Sequence, residues 1–213
     1  MTEAVSRVLL PAPPHKPSSL SRLRKLEAAM PRETDVIAFG DSLVACWPEA
    51  ELAPAFPGCR ILNLGLPGDR IQNALWRLDA LPTGHLRPTW LCLLLGTNNL
   101  GDGDPADVIA AGLEAVTGRM LALWGRPRLL IVTLPWRVPL RPLGEGHRLH
   151  VNEVLLPDLA RRLGATLVDA DRALGRGPDE TAISLEADGL HVSAAGYVRL
   201  GRALAEAVGG TAM

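Results

Sequence analysis

Four short segments of this chain hold residue types that together could perform acyl chemistry. Gly40-Asp41-Ser42 follows an apolar run and delivers a serine hydroxyl, which becomes a nucleophile once a base takes its proton. Alone, the triplet serves equally as a turn followed by a helix cap. Gly65-Leu66-Pro67-Gly68-Asp69 follows the next apolar run. A glycine at a helix entrance leaves backbone N–H groups free to meet negative charge, and equally makes a tight turn. Gly96-Thr97-Asn98-Asn99 follows the third run, with amides that can donate into a cleft or close an Asx turn. Near the C-terminus, Asp188-Gly189-Leu190-His191 spaces a carboxylate and an imidazole three residues apart. The carboxylate can fix one ring nitrogen and leave the other as a base; a satisfied surface pair has the same spacing. The argument for chemistry is their joint occurrence, in one order, each after a strand end or before a helix.

The elements that must position these loops are readable from periodicity. Apolar runs too short for helices occur at Val36–Phe39, Arg60–Leu64, Trp90–Leu95, Leu129–Leu134 and Ala165–Asp169. Near-continuous apolar strands are what a parallel sheet buried on both faces requires. Between them lie helical patterns. Ser18 and Ser19 are placed as caps before SLSRLRKLEAAM, which Pro31 ends. Ile71, Leu75 and Leu78 mark another helix. Asp104 is placed as the cap and Pro105 at the first position of a helix through Ile109, Leu113, Val116 and Met120. A further helix covers about 145–163, broken or kinked at Pro157 and stopped by Gly164; the last begins at Ser193 and ends at Gly209-Gly210. Strands alternating with helices give an α/β class, a three-layer α/β/α sandwich, with ligands expected beyond the carboxyl ends of the strands. Residues 1–17 read as a proline-rich lead, extended on the surface at 11–17, and 18–213 as a single domain.

Bulk properties narrow the function classes. The chain has 213 residues, 47% of them apolar and 21% charged, ordinary values for a folded domain. Lys+Arg number 22 against Asp+Glu 23, a net charge of -1, with no basic stripe, so nucleic acid is not an expected partner. The three cysteines, Cys46, Cys59 and Cys92, show neither a disulfide framework nor the C-x-x-C spacing of a zinc site. The longest apolar run near the start is Val8-Leu9-Leu10, too short for a secretory signal, and no run approaches a membrane span; a cytoplasmic location is expected.

Gly40-Asp41-Ser42-Leu43, Gly68, Gly96-Thr97-Asn98-Asn99 and Asp188-Gly189-Leu190-His191 resemble the four sequence blocks of the SGNH (GDSL-like) hydrolases, over about residues 34–208. Residues 63–78, NLGLPGDRIQNALWRL, look especially like the branch holding the catalytic subunits of intracellular platelet-activating-factor acetylhydrolase. The resemblance implies a flavodoxin-like fold with a five-stranded parallel sheet in the order 2-1-3-4-5. It implies hydrolysis of short acyl (acetyl-like) esters, with no metal or organic cofactor. By position, Ser42 would be the nucleophile, His191 the base and Asp188 its orienting acid. The N–H groups of Ser42 and Gly68, with the Asn98 amide, would form the oxyanion hole. Two departures are Val44, where many relatives have threonine, and Pro67, where glycine is common. That branch also suggests a homodimer.

Trp47, Asn99 and Trp136 are expected to line the acyl or alcohol pocket, Trp76 and Trp124 to be core, and Asp41 to organise its loop. His147 and His150, three apart without a carboxylate cluster, read as structural or solvated and not as metal ligands. Two other functions fit the same residues: an acyltransferase passing the acyl group to a hydroxyl acceptor, and a scaffold subunit with an idle triad.

Overall fold

Five short apolar segments pair into one sheet, and their register decides where the loops emerge. The structure, a computed structural model, describes residues 7–138 and 144–210. Its strands are β1 (Val36–Gly40), β2 (Ile61–Gly65), β3 (Trp90–Leu94), β4 (Arg128–Val132) and β5 (Thr166–Val168), ordered β2-β1-β3-β4-β5. All four pairings are parallel. This is the expected α/β sandwich with sheet order 2-1-3-4-5.

Eleven helices are named among the described residues: α1 (Pro17–Ala28), α2 (Ser42–Ala45), α3 (Glu49–Leu52), α4 (Ile71–Ala80), α5 (Thr97–Asp102), α6 (Ala106–Trp124), α7 (Gly144–His150), α8 (Leu156–Leu163), α9 (Ala170–Leu174), α10 (Pro178–Thr181) and α11 (Ala194–Gly210). Side chains alternate across each strand, so the sheet feeds two cores. Ile37, Phe39, Leu91, Leu93, Leu129 and Ile131 pack with α1, α4, α6 and α8. Val36, Ala38, Cys92, Leu94, Leu130 and Val132 pack with α2, α9 and α11. β1 and β3 are buried at every position, which is why their sequences carry no polar alternation. No helix among the described residues is long and apolar enough to cross a membrane.

Several local expectations are corrected. α1 begins at Pro17 with Lys16 as N-cap; Ser19 caps nothing, because its Oγ is buried and donates to the Pro67 carbonyl at 2.6 Å. Pro17 suits a first helical position, where a missing N–H costs no bond. Pro105, not Asp104, is the N-cap of α6; Asp104 is buried, accepting from Asn99 Nδ2 at 2.9 Å and pairing with Arg7. Between α7 and α8 the helix loosens to π-type turns over Val151–Leu155, next to Pro157, which has no N–H to donate backwards. Residues 11–17 are mostly exposed, as expected, but the segment from residue 7 is fastened to the domain. Val8 is fully buried, and Ala12 N donates to the Gln72 carbonyl at 3.0 Å. Residues 1–6 of that lead lie outside the described residues.

Candidate active site

The register sets Gly40, Gly65 and Leu94 side by side, so the loops after β1, β2 and β3 leave the same edge of the sheet together. Gly65 is needed there: a Cβ on it would lie 2.1 Å from Ala45 N, so only glycine lets α2 settle against β2. Ser42 is thereby the first residue of α2, 7% exposed and standing at the sheet edge. Asp41 caps this helix, its Oδ1 accepting from Leu43 N at 2.9 Å. Burial pushes the Asp41 carboxyl up to about 7, and its Oδ2 has no partner among the described residues, so it organises the loop as expected.

The acid–base pair arrives from the far end of the chain. Leu185 and Val192 form an antiparallel bridge, and Glu186 N donates to the His191 carbonyl at 2.7 Å. These bonds close the 185–192 loop just before α11, whose first turn is capped by Ser193 Oγ accepting from Gly196 N at 3.1 Å. Tyr197 on α11 donates through its hydroxyl to the Leu43 carbonyl at 2.8 Å, tying that helix to the one bearing Ser42. His191 Nε2 comes to 3.1 Å from Ser42 Oγ, and His191 Nδ1 to 2.6 Å from Asp188 Oδ2. Asp188 Oδ1 accepts the backbone N–H groups of Leu190 and His191, each at 2.9 Å. The bond to the imidazole, then those N–H groups, hold the Asp188 carboxyl down at about 2. It therefore stays ionised throughout the range in which an imidazole ordinarily titrates.

Gly68 and Asn98 face the same edge. Asn98 Nδ2 donates one N–H to the Asp69 carbonyl at 2.8 Å, which fixes the carboxamide and leaves its second N–H available. Among the described residues, neither Ser42 N nor Gly68 N donates to a protein acceptor. The Ser42 and Gly68 N–H groups and the second Asn98 N–H, carried by the loops after β1, β2 and β3, are therefore not spent on protein acceptors among the described residues.

Two aromatic and amide expectations fail. Trp47 is 3% exposed, with its ring centroid 5.7 Å from that of Tyr197, and belongs to the core beneath α11. Asn99 is fully buried: Oδ1 accepts from Ile71 N at 2.9 Å and Nδ2 reaches Gln72 and Asp104, so it joins α4 to α5 and lines no pocket. Trp136 is half-buried against the core that includes Trp47 and Tyr197, Trp124 is core, and Trp76 is half-buried against the core on the other side of the sheet. The described residues hold no cluster of three or more His, Cys, Asp or Glu that could hold a metal.

Sequence patterning did not reveal the buried cations that set these loops. Arg77 and Asp69 pair at 2.7 Å with both side chains fully buried. Arg77 also donates to the Leu64 carbonyl at 2.8 Å and the Gly40 carbonyl at 3.2 Å, and its guanidinium lies 4.3 Å from the centre of the Phe39 ring. One side chain therefore fastens the ends of β1 and β2 to the residue after Gly68. Burial raises the Asp69 carboxyl to about 6 against the pull of Arg77. In the sequence Arg77 lies beside the apolar stripe Ile71, Leu75 and Leu78 of α4, and nothing local marks it as buried. Arg77→Met is expected to cost about 3–5 kcal/mol, because it strands a buried carboxylate. Urea unfolding at neutral pH measures this; a loss under ~1 kcal/mol would show the pair to be dispensable. A second clamp holds the turn after β4: Asn152 accepts from Leu134 N at 2.9 Å and donates to its carbonyl at 2.8 Å, and Arg148 donates to the same carbonyl at 2.8 Å. From that turn Val138 N donates to the Gly189 carbonyl at 2.9 Å, inside the Asp188–His191 loop.

Comparison with known proteins gives the same picture. Residues 38–199 match the model of the GDSL-like lipase/acylhydrolase family. The platelet-activating factor acetylhydrolase IB subunit alpha1 of Homo sapiens is 31% identical over 175 residues, 81% of this chain and 74% of that protein. The alpha2 subunit of Homo sapiens is 26% identical over 179 residues, covering 83% and 77%. Among solved structures, a carbohydrate acetylesterase from Sinorhizobium meliloti superposes with a TM-score of 0.68 at 22% identity, covering 85% of this chain and 100% of that one. A lipase/acylhydrolase from Enterococcus faecalis gives 0.67 at 22% identity, covering 85% and 97%.

Proposed function

The chain belongs to the GDSL-like lipase/acylhydrolase family, a family of carboxylic-ester hydrolases, and on that premise we propose that it hydrolyses short-chain acyl esters through an acyl-serine at Ser42. The observation that carries this is the continuous line Ser42 Oγ–His191 Nε2 at 3.1 Å and His191 Nδ1–Asp188 Oδ2 at 2.6 Å.

His191 takes the Ser42 proton as Oγ attacks the ester carbonyl carbon. The Asp188 carboxylate holds the imidazole in the tautomer with Nδ1 protonated and stabilises the imidazolium that forms. The carbonyl oxygen gains negative charge and meets the N–H groups of Ser42 and Gly68 and the free Asn98 N–H. As the tetrahedral carbon collapses, its bond to the alcohol oxygen breaks and His191 returns the proton to that oxygen. Water then attacks the acyl-serine with His191 as base, releasing the acid and restoring Ser42. The acetyl-directed relatives and the crowding of three loops around Ser42 support a short acyl group, with Trp136 as a candidate wall.

Hydrolysis of p-nitrophenyl acetate, butyrate and octanoate, measured for the wild type beside Ser42→Ala, tests this. The expected result is turnover that falls with acyl length and vanishes in the variant. Equal rates in both proteins, or none in either, would overturn it.

A further inference from the structure

The N-terminal strap runs directly onto one of the oxyanion loops. Arg7 pairs with Asp104, Asn73 Nδ2 donates to the Ala12 carbonyl at 2.9 Å, Ser19 Oγ donates to the Pro67 carbonyl at 2.6 Å, and Arg22 Nε to the Gly65 carbonyl at 2.6 Å. Lys16 lies between these anchors, and its side chain crosses Gly68. A Cβ on Gly68 would lie 2.6 Å from Lys16 Nζ, so the ammonium occupies the space that any other residue's side chain would enter. Gly68 also sits at φ +70, the left-handed region that favours glycine. Lys16 precedes residues 38–199 and is therefore outside the segment that the family model matches, while Gly68 is inside it.

The ammonium is exposed, and no ion pair to it forms among the described residues; the carboxylates of this loop cluster, Asp69 and Asp102, are held by Arg77 and Arg70. Two more cations continue the rim. Arg70 Nη1 donates to the Gly68 carbonyl at 3.4 Å. Arg137 donates to the Thr97 carbonyl at 2.9 Å, next to Asn98, and is close enough to Asp41, Asp102 and Asp188 to feel each charge. Cations thus stand against both loops that supply oxyanion donors; Lys16 is the exposed one without an ion pair among the described residues, whereas Arg70 is paired with Asp102 and Arg137 is half-buried against the Thr97 carbonyl.

We propose that Lys16 is a specificity-determining residue that favours acyl esters carrying a carboxylate or phosphate near the scissile bond. This rests on the esterase reading above. An unpaired cation beside the Gly68 loop attracts an anionic substrate and does little for a neutral one.

The test compares kcat/KM for 4-acetoxybenzoate and 4-acetoxybenzamide, similar in shape and different in charge. It uses the wild type, Lys16→Gln and Lys16→Arg; taking the ratio of the two rates within each protein cancels differences in active fraction. In Lys16→Gln the preference for the anionic ester is expected to fall about three- to tenfold at low ionic strength. Lys16→Arg should restore it, and about 0.5 M NaCl should erode the wild-type preference. The same ratio in wild type and Lys16→Gln, or an equal loss on both esters, overturns the proposal. If the wild type hydrolyses neither ester, the esterase reading itself has failed. Calorimetric binding of phenylphosphonate then decides the role of Lys16: weaker binding by Lys16→Gln supports it, and equal or no binding overturns it.

Discussion

Ser42→Ala and His191→Ala are each expected to lower kcat for p-nitrophenyl acetate by about 10⁴- to 10⁶-fold, and the double variant to be no slower than either single one. The hydroxyl and the imidazole act as a unit: without the base, Ser42 Oγ keeps its proton, and without the hydroxyl, His191 has nothing to activate. Their 3.1 Å contact is the only hydrogen bond the Ser42 side chain makes among the described residues, so the substitution leaves no other group stranded. Ser42→Ala should therefore unfold within about 0.5 kcal/mol of the wild type, while His191→Ala, which also removes the 2.6 Å bond to Asp188, is expected to cost about 1 kcal/mol. Background-corrected rates for the three proteins, with urea unfolding alongside, measure this. Losses that multiply in the double variant would mean that the two residues act independently, and the mechanism would be wrong.

Asn98→Ala is the second large effect: a drop in kcat of about 10²- to 10³-fold with KM nearly unchanged. An oxyanion donor meets full charge only in the transition state, so its removal is felt in the chemical step and not in ground-state binding. The same substitution breaks the 2.8 Å bond from Asn98 Nδ2 to the Asp69 carbonyl, at a stability cost of about 1 kcal/mol. Michaelis parameters below the unfolding transition keep the two effects apart. A raised KM with kcat intact would make Asn98 a binding residue.

The two clamps explain how a site drawn from distant segments holds its geometry. Arg77 joins the Gly40 and Leu64 carbonyls to Asp69, and Asn152 and Arg148 hold Leu134 ahead of the turn that reaches Gly189. Each directs a buried charge or amide at backbone carbonyls at or near strand ends, where a carbonyl has a second lone pair to offer even when, as at Gly40, a backbone N–H already donates to it. Buried arginine is tolerable at these points because a carboxylate and several carbonyls replace its water.

The sequence alone was enough to place every strand: β1 and β3 are covered on both faces and apolar throughout, while β2 and β5, at the sheet edges, are only partly buried and keep Asn63 and Thr166, yet their apolar runs still stand out between helical patterns. Residue types and loop positions marked the four segments as candidates, the resemblance to the SGNH hydrolases assigned roles to Ser42, Gly68, Asn98, Asp188 and His191, and the structure brings Ser42, His191 and Asp188 into one hydrogen-bonded line. What the sequence could not decide is which polar or aromatic side chains turn inward. Trp47 and Asn99 flank chemical residues in sequence, yet α11 covers the one and α4 consumes the amide of the other. Asp104 looks like a helix cap because local rules say so; a long-range pair with Arg7 claims it instead. The roles of Arg77, Arg148 and Lys16 depend on carbonyls, carboxylates and a glycine that are remote in the chain or revealed only by packing, and no local pattern encodes such partners. Periodicity reports one-dimensional burial, while the satisfaction of a buried charge is a three-dimensional property, settled only when the sheet edge brings its loops together.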